Sequence, residues 1–161
     1  MFRFCFPLLL ALFCLLPDMV WAAASISLVQ TQRLTFPTLA IPSSSSSLTI
    51  NPLNSATSGT AQIISGTASR GVYDLSMIGG GSVSISLDIS VTNAGTSGVT
   101  LGAFTGLYQS TTISSFPSST LPLPSKKPAT TPLYLGATLT ANSSVAKGSY
   151  AGSIDIIIFV Q

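Results

Sequence analysis

The chain has 161 residues, six Lys or Arg against four Asp or Glu, no His, and a formal net charge of +2. Only 6% of its residues are charged, and Ser, Thr, Asn and Gly fill most of the polar positions. So thin a positive charge lacks the dense basic patch that nucleic-acid binding needs, and the want of His and Glu removes two of the commonest general acids and bases.

The N-terminus combines Arg3, an apolar run from Leu8 to Leu16 and Trp21-Ala22-Ala23-Ala24. A basic start, a short apolar stretch and a small-residue site describe a secretory signal peptide. The run is shorter than the about 20 apolar residues of a membrane span, and Pro17 and Asp18 interrupt it. Residues 1–24 are therefore expected to be a leader, cut after Ala24 with Ala22 as the nearest alternative. Residues 25–161 then form one domain, exported to the periplasm, the cell surface or the medium, with no membrane span. Cys5 and Cys14 both lie in the leader, so the expected mature chain holds no disulfide and relies on its core.

No window of the mature chain carries a helical period. Ser25 to Gln32 alternates weakly, with Ile26 and Leu28 on one face. Arg33 to Ile41 reads as a strand broken at Pro37, which suits an edge or a bulge. Ser43 to Ser47 is a five-serine connector, and Leu48 to Ile50 and Thr60 to Ile64 are short strands. Val72 to Ile78 and Ser82 to Thr92 both alternate, and with Gly79-Gly80-Gly81 between them they read as a hairpin. In the second, Val83, Ile85, Leu87, Ile89 and Val91 should face the core. Val99 to Phe104 and Leu133 to Ala141 complete the inner set. Between them Tyr108 to Pro132 is dominated by Ser, Thr and Pro, and reads as a long surface excursion, variable or facing a partner.

The most strongly strand-forming run is the last, Gly148 to Gln161. Tyr150, Ile154, Ile156, Ile158 and Val160 share one face. The opposite face begins Ala151, Ser153 and Asp155 and turns apolar at Ile157 and Phe159. A strand apolar on both faces asks for cover on both, so the even-numbered face is expected in the core and something should cover Ile157 and Phe159. Ile156→Asp is expected to unfold the domain. Many short strands with Gly, Ser and Pro punctuation define an all-β, single-domain antiparallel sandwich or barrel.

No motif carries chemistry. The three mature Asp residues stand alone, and Asp88 and Asp155 occupy outward strand positions. The serines have no His to activate them. Lys126, Lys127 and Lys147 lie in expected loops without the context of a Ser-Lys dyad. Metal sites need clustered ligands, and none is spaced for one. Gly79 to Gly81 has no following Lys-Ser/Thr, so it is no phosphate cradle. Asn142-Ser143-Ser144 fits a glycosylation sequon. The expected catalytic, cofactor and metal sets are empty.

Leu133-Tyr134-Leu135-Gly136-Ala137-Thr138-Leu139 followed by Gly148-Ser149-Tyr150-Ala151-Gly152 and an apolar terminal strand resembles the DUF4402 domain of bacterial exported proteins. Ser65-Gly66-Thr67-Ala68 with Val72-Tyr73-Asp74-Leu75, and Leu34-Thr35-Phe36, are similar to that family's earlier strands; Pro37 stands where a glycine is expected. The family is in turn similar to fimbrial subunits and spore-coat-U-type proteins. That resemblance implies an immunoglobulin-like, pilin-like sandwich whose C-terminal strand flanks a groove filled by a periplasmic chaperone and then by a like subunit's N-terminal extension. Here Val160 rather than an aromatic is penultimate, with Phe159 one residue further in.

Two readings of function stand beside an enzyme. In the first, the protein is an exported surface or fimbrial-type structural subunit joined by strand addition. Its assembly residues are then Tyr150, Ile154, Ile156, Ile157, Ile158, Phe159 and Val160, and its candidate donor segment holds Ile26 and Leu28, fewer apolar positions than a donor strand wants. In the second, it is a self-complete, non-enzymatic binding or coat module with recognition carried by Tyr108 to Pro132.

Overall fold

The computed structural model describes residues 24–80, 84–92 and 98–161. The leader, with Ala22, lies outside that range, as does Val83; Ala24 is the first described residue. The strands are β1 (Ser25–Gln32), β2 (Thr38–Leu39), β3 (Ser46–Ile50), β4 (Thr57–Gly59), β5 (Ile63–Ser65), β6 (Gly71–Ile78), β7 (Ile85–Thr92), β8 (Val99–Tyr108), β9 (Thr111–Ile113), β10 (Thr131–Ala141) and β11 (Ser153–Val160).

Alternation dictates which side each strand buries. Tyr73, Leu75 and Met77 of β6 and Leu133, Leu135 and Ala137 of β10 turn one way and form the middle of the core. The same period buries Ile85 and Leu87 of β7 completely, while Ser90 on the other face is exposed. All paired strands run antiparallel.

β10 organises the larger sheet. Its first half pairs with β6, from Thr131↔Leu75 to Leu135↔Gly71, and its second half with β3, from Thr138↔Thr49 to Ala141↔Ser46. β8 runs along the opposite edge over Leu133–Ala141. The handover from β6 to β3 falls at Gly136. A Cβ there would sit 2.1 Å from the Ile50 carbonyl oxygen, so only glycine lets the β3 end come that close. β1 extends the sheet beyond β6, β4 beyond β3, and β9 beyond β8. Asn142 N–H donates to the Gly98 carbonyl (2.9 Å), which ties the turn after β10 to the start of β8.

The smaller sheet holds β7 and β11, paired without a slip from Ser153↔Thr92 to Val160↔Ile85. The two sheets enclose one apolar cluster that includes Tyr73, Leu75, Ile85, Leu87, Leu121 and Leu133. The spatial order β1-β6-β10-β8 over β7-β11 is that of strands A-B-E-D over C-F in an immunoglobulin-type sandwich. Segments β2 to β5 elaborate the connection between A and B.

Two readings of the sequence change here. β6 and β7 are not a hairpin: β6 lies between β1 and β10, and β7 pairs with β11 in the other sheet. Gly79 takes φ +88° at the end of β6, a left-handed backbone that starts the crossing between layers rather than a tight reversal. The Tyr108 to Pro132 stretch is no surface excursion either. Ile113, Leu121 and Pro124 are buried, and Phe116 and Leu123 pack against the core. Ile85 N–H donates to the Leu121 carbonyl (2.9 Å) and Leu121 N–H to that of Ile85 (2.7 Å). Ser118 N–H donates to the Leu87 carbonyl (2.7 Å), and Leu87 N–H to the Ser118 hydroxyl (2.9 Å). Further along, Met77 N–H donates to Ser125 and Lys127 N–H to Met77. The segment closes the free edge of β7 and then caps the end of β6.

The Thr60 to Ile64 strand divides instead into β4 and β5, which serve different sheets, and Val99 to Phe104 extends to Tyr108 through a bulge at Ala103, where φ is +44°.

Candidate functional site

β11 is where structure leaves something undone. Gln161 and Ser84 exchange both backbone bonds, Gln161 N–H to the Ser84 carbonyl (3.0 Å) and Ser84 N–H to the Gln161 carbonyl (3.4 Å). Bonded and non-bonded pairs alternate in an antiparallel ladder. Ser153, Asp155, Ile157 and Phe159 therefore turn their peptide groups toward β7. Ile154, Ile156, Ile158 and Val160 turn theirs away. Among the described residues no strand pairs with that outer edge and no backbone bond reaches it.

The side chains of these same residues point into the sandwich. Ile154, Ile156 and Ile158 pack against the core but stay half-buried, whereas their β7 neighbours Ile85 and Leu87 are fully buried. Cover thus thins from β7 toward the outer edge of β11. The opposite sheet thins in step: Ile26 and Leu28 of β1, beyond β6, touch the same core and are also half-buried. β7 lies toward β8, where Ile89 meets Ala103 and Phe104. So β11 lies toward β6, and β1 forms the floor beneath the place next to β11.

The outer face of β11 shows Ile157 at 44% exposure and Phe159 at 50%. Opposite them across the ladder stand Asp88 and Ser86 of β7. Asp155 accepts from the Thr92 hydroxyl (2.9 Å), and Asp88 from Ile89 N–H (2.8 Å). Val160, on the inward face but at the strand's end, is 42% exposed. β11 carries neither Lys nor Pro, and one charge, the means by which edge strands usually refuse partners.

Of the residues singled out from sequence, Ile154, Ile156, Ile158 and Val160 come together on the inward face, and Ile157 and Phe159 on the outward one. Tyr150 is apart, in the turn before β11, its hydroxyl donating to the Ala146 carbonyl. Ile26 and Leu28 are paired in register with Met77 and Leu75. The sequence reading missed Leu121 and Ser118; Leu121 and Leu123, two apart in a Pro-rich stretch, were the available signal.

Other surfaces offer less. A cleft of about 240 Å³ beside Ile89, Phe104 and Phe116 falls below the roughly 300–1,000 Å³ of small-molecule pockets. Arg70 stacks 3.8 Å from the centre of the Tyr134 ring and donates to the Pro52 (2.9 Å) and Leu53 carbonyls, a clamp between β6 and the β3–β4 turn. Among the described residues no group of three or more His, Cys, Asp or Glu could hold a metal, and no helix is long and apolar enough to cross a membrane.

The fold and this edge define a single all-β sandwich with A-B-E-D and C-F strands present and the place beside F open. The chain belongs to the family described as Domain of unknown function (DUF4402), whose model it matches over residues 26–159. No curated protein and no solved structure matches it.

Proposed function

We propose that the protein is an exported, non-enzymatic structural subunit of a bacterial surface or fimbrial-type assembly, joined to its neighbours by addition of a β-strand. The observation that carries this reading is the unpaired outer edge of β11, with Ile154, Ile156 and Ile158 half-covered behind it. An immunoglobulin-type sandwich places a seventh strand there, and an open edge with apolar backing is a template for an incoming strand. The resemblance to fimbrial subunits agrees, and so does a surface almost free of charge.

The second reading, a self-complete binding or coat module, draws support from the Tyr108 to Pro132 segment. That segment closes the other side of the sheet from within the chain, so the core is already largely built. Expression in a bacterial periplasm separates the two. Strand addition expects multimers that survive SDS without heating, or a product that stays soluble only with a co-expressed chaperone. A stable monomer whose Ile154, Ile156 and Ile158 amides resist hydrogen exchange would sink it.

A further inference from the structure

The place beside β11 constrains its occupant, and we infer that the strand it receives comes from a different polypeptide rather than from a second copy of this chain. The inference rests on the strand-addition reading. The occupant must be a single extended segment, because β1 lies beneath the open place and leaves no room for a whole second sandwich edge. It must carry apolar side chains at every second residue, opposite Ile154, Ile156, Ile158 and Val160, to fill the gap above Ile26 and Leu28. Nothing charged lines that gap, so the inward positions must be uncharged as well.

The chain's own described strands do not meet these terms. β1 lies at the N-terminal end of the sandwich but presents Ile26, Leu28, Gln30 and Gln32 at alternate positions, two apolar and two amide. It is also committed: it pairs with β6 from Ser25↔Ile78 to Gln32↔Val72, and Gln30 Nε2 donates to the Tyr73 hydroxyl (3.2 Å). A copy that gave β1 to its neighbour would strip the cover from its own Tyr73 and Leu75. It would also lose the floor that its own open place needs. β11 has the right pattern, but as the edge of a complete sheet it brings β7 and a second β1 with it.

The test uses the chain from Ser25 to Gln161 and three synthetic peptides. One has four Ile or Val residues alternating with Thr or Ser; one has the same composition shuffled to destroy the alternation; one is Ser25–Gln32 itself. Hydrogen exchange is read residue by residue. In the free chain the amides of Asp155, Ile157 and Phe159 should be protected and those of Ile154, Ile156 and Ile158 open. The alternating peptide should slow exchange at Ile154, Ile156 and Ile158 at least tenfold and raise Tm; the shuffled peptide and Ser25–Gln32 should not. Val160→Pro removes an outward amide that β7 does not use; it should fold as the parent does and bind the alternating peptide several-fold more weakly.

Equal or greater protection by Ser25–Gln32 would overturn the inference in favour of a second copy, and no protection by any peptide would overturn it outright. Failure of the structural reading looks different. A chain that binds the alternating peptide yet is never found in a surface assembly keeps the inference and loses the function. A chain that polymerises alone loses the inference and keeps the function.

Discussion

The two edges of the small sheet were given opposite treatments. Along β7, Ser118 and Leu121 take up the backbone groups of Ile85 and Leu87, and Leu121 is 1% exposed behind them. Along β11, the equivalent groups of Ile154, Ile156, Ile158 and Val160 meet nothing within the described chain. Both edges sit on one core and both strands alternate cleanly. What differs is a stretch of irregular chain. A segment with five prolines between Tyr108 and Pro132 cannot build a regular central strand, yet two leucines and two well-placed peptide groups suffice to close an edge. An edge left open in the same molecule, backed by isoleucine, is therefore a feature to explain by what binds it.

The sharpest way to break the comparison is to place the same charge behind each edge. Leu121→Asp buries an unpaired carboxylate, at a cost of several kcal/mol on the scale of a domain's total stability, and should abolish cooperative unfolding in urea. Ile156→Asp, expected from sequence alone to unfold the domain, should cost only about 1–2 kcal/mol, since a half-buried side chain at an open edge keeps water within reach. Equal losses in urea melts followed by circular dichroism would mean that β11 is covered as fully as β7.

The closed side carries a strain that the open side lacks. Tyr108 ends β8, is fully buried, and its hydroxyl finds no hydrogen-bond partner. Burial pushes its pKa up to about 12 from the ordinary 10, with Gln109 drawing it slightly back. The fold favours the neutral phenol. Its contribution is therefore complete below pH 10 and is lost as pH rises from 10 through about 12. Tyr108→Phe removes the orphan hydroxyl and should stabilise the domain by about 1 kcal/mol at pH 8, with a shallower loss at pH 11. Tyr73, raised in the same direction by burial, keeps some of that loss in place. A destabilised variant at pH 8 would reveal a partner for the hydroxyl.

How much of this was legible beforehand follows from what kind of force set each feature. The inward and outward faces of β7 and β11 could be read residue by residue, because a period of two is fixed by the pleat alone. Ile154, Ile156 and Ile158 were found that way. Strand partners could not be read. Ile78 to Ser82 looks like a hairpin turn, and only the long-range match of β1 and β10 to β6 sends the chain across to the other sheet. Leu121 was hidden for a related reason: its neighbours are prolines and serines, and its burial comes from β7 rather than from any local pattern. The open edge lay between these cases. The sequence pointed to β11 as the strand of interest and expected a second cover for Ile157 and Phe159. The structure shows the vacancy at the side, along the peptide groups of the even-numbered residues.

That distinction yields the smallest effect and the finest test. Phe159 stands half-exposed on the outer face, with Ser86 across the ladder. If the vacancy is lateral, nothing in the monomer depends on that ring. Phe159→Ser should then leave the urea midpoint within about 0.5 kcal/mol of the parent. It should leave binding of an alternating peptide unchanged. It should still lower light scattering on concentration, because Ile157 and Phe159 are the apolar part of an exposed, nearly uncharged β run. A loss well above 1 kcal/mol would mean that the chain folds something over this face. Weakened peptide binding with unchanged stability would show that an incoming partner grips the face as well as the edge, and the site would have to be redrawn around both.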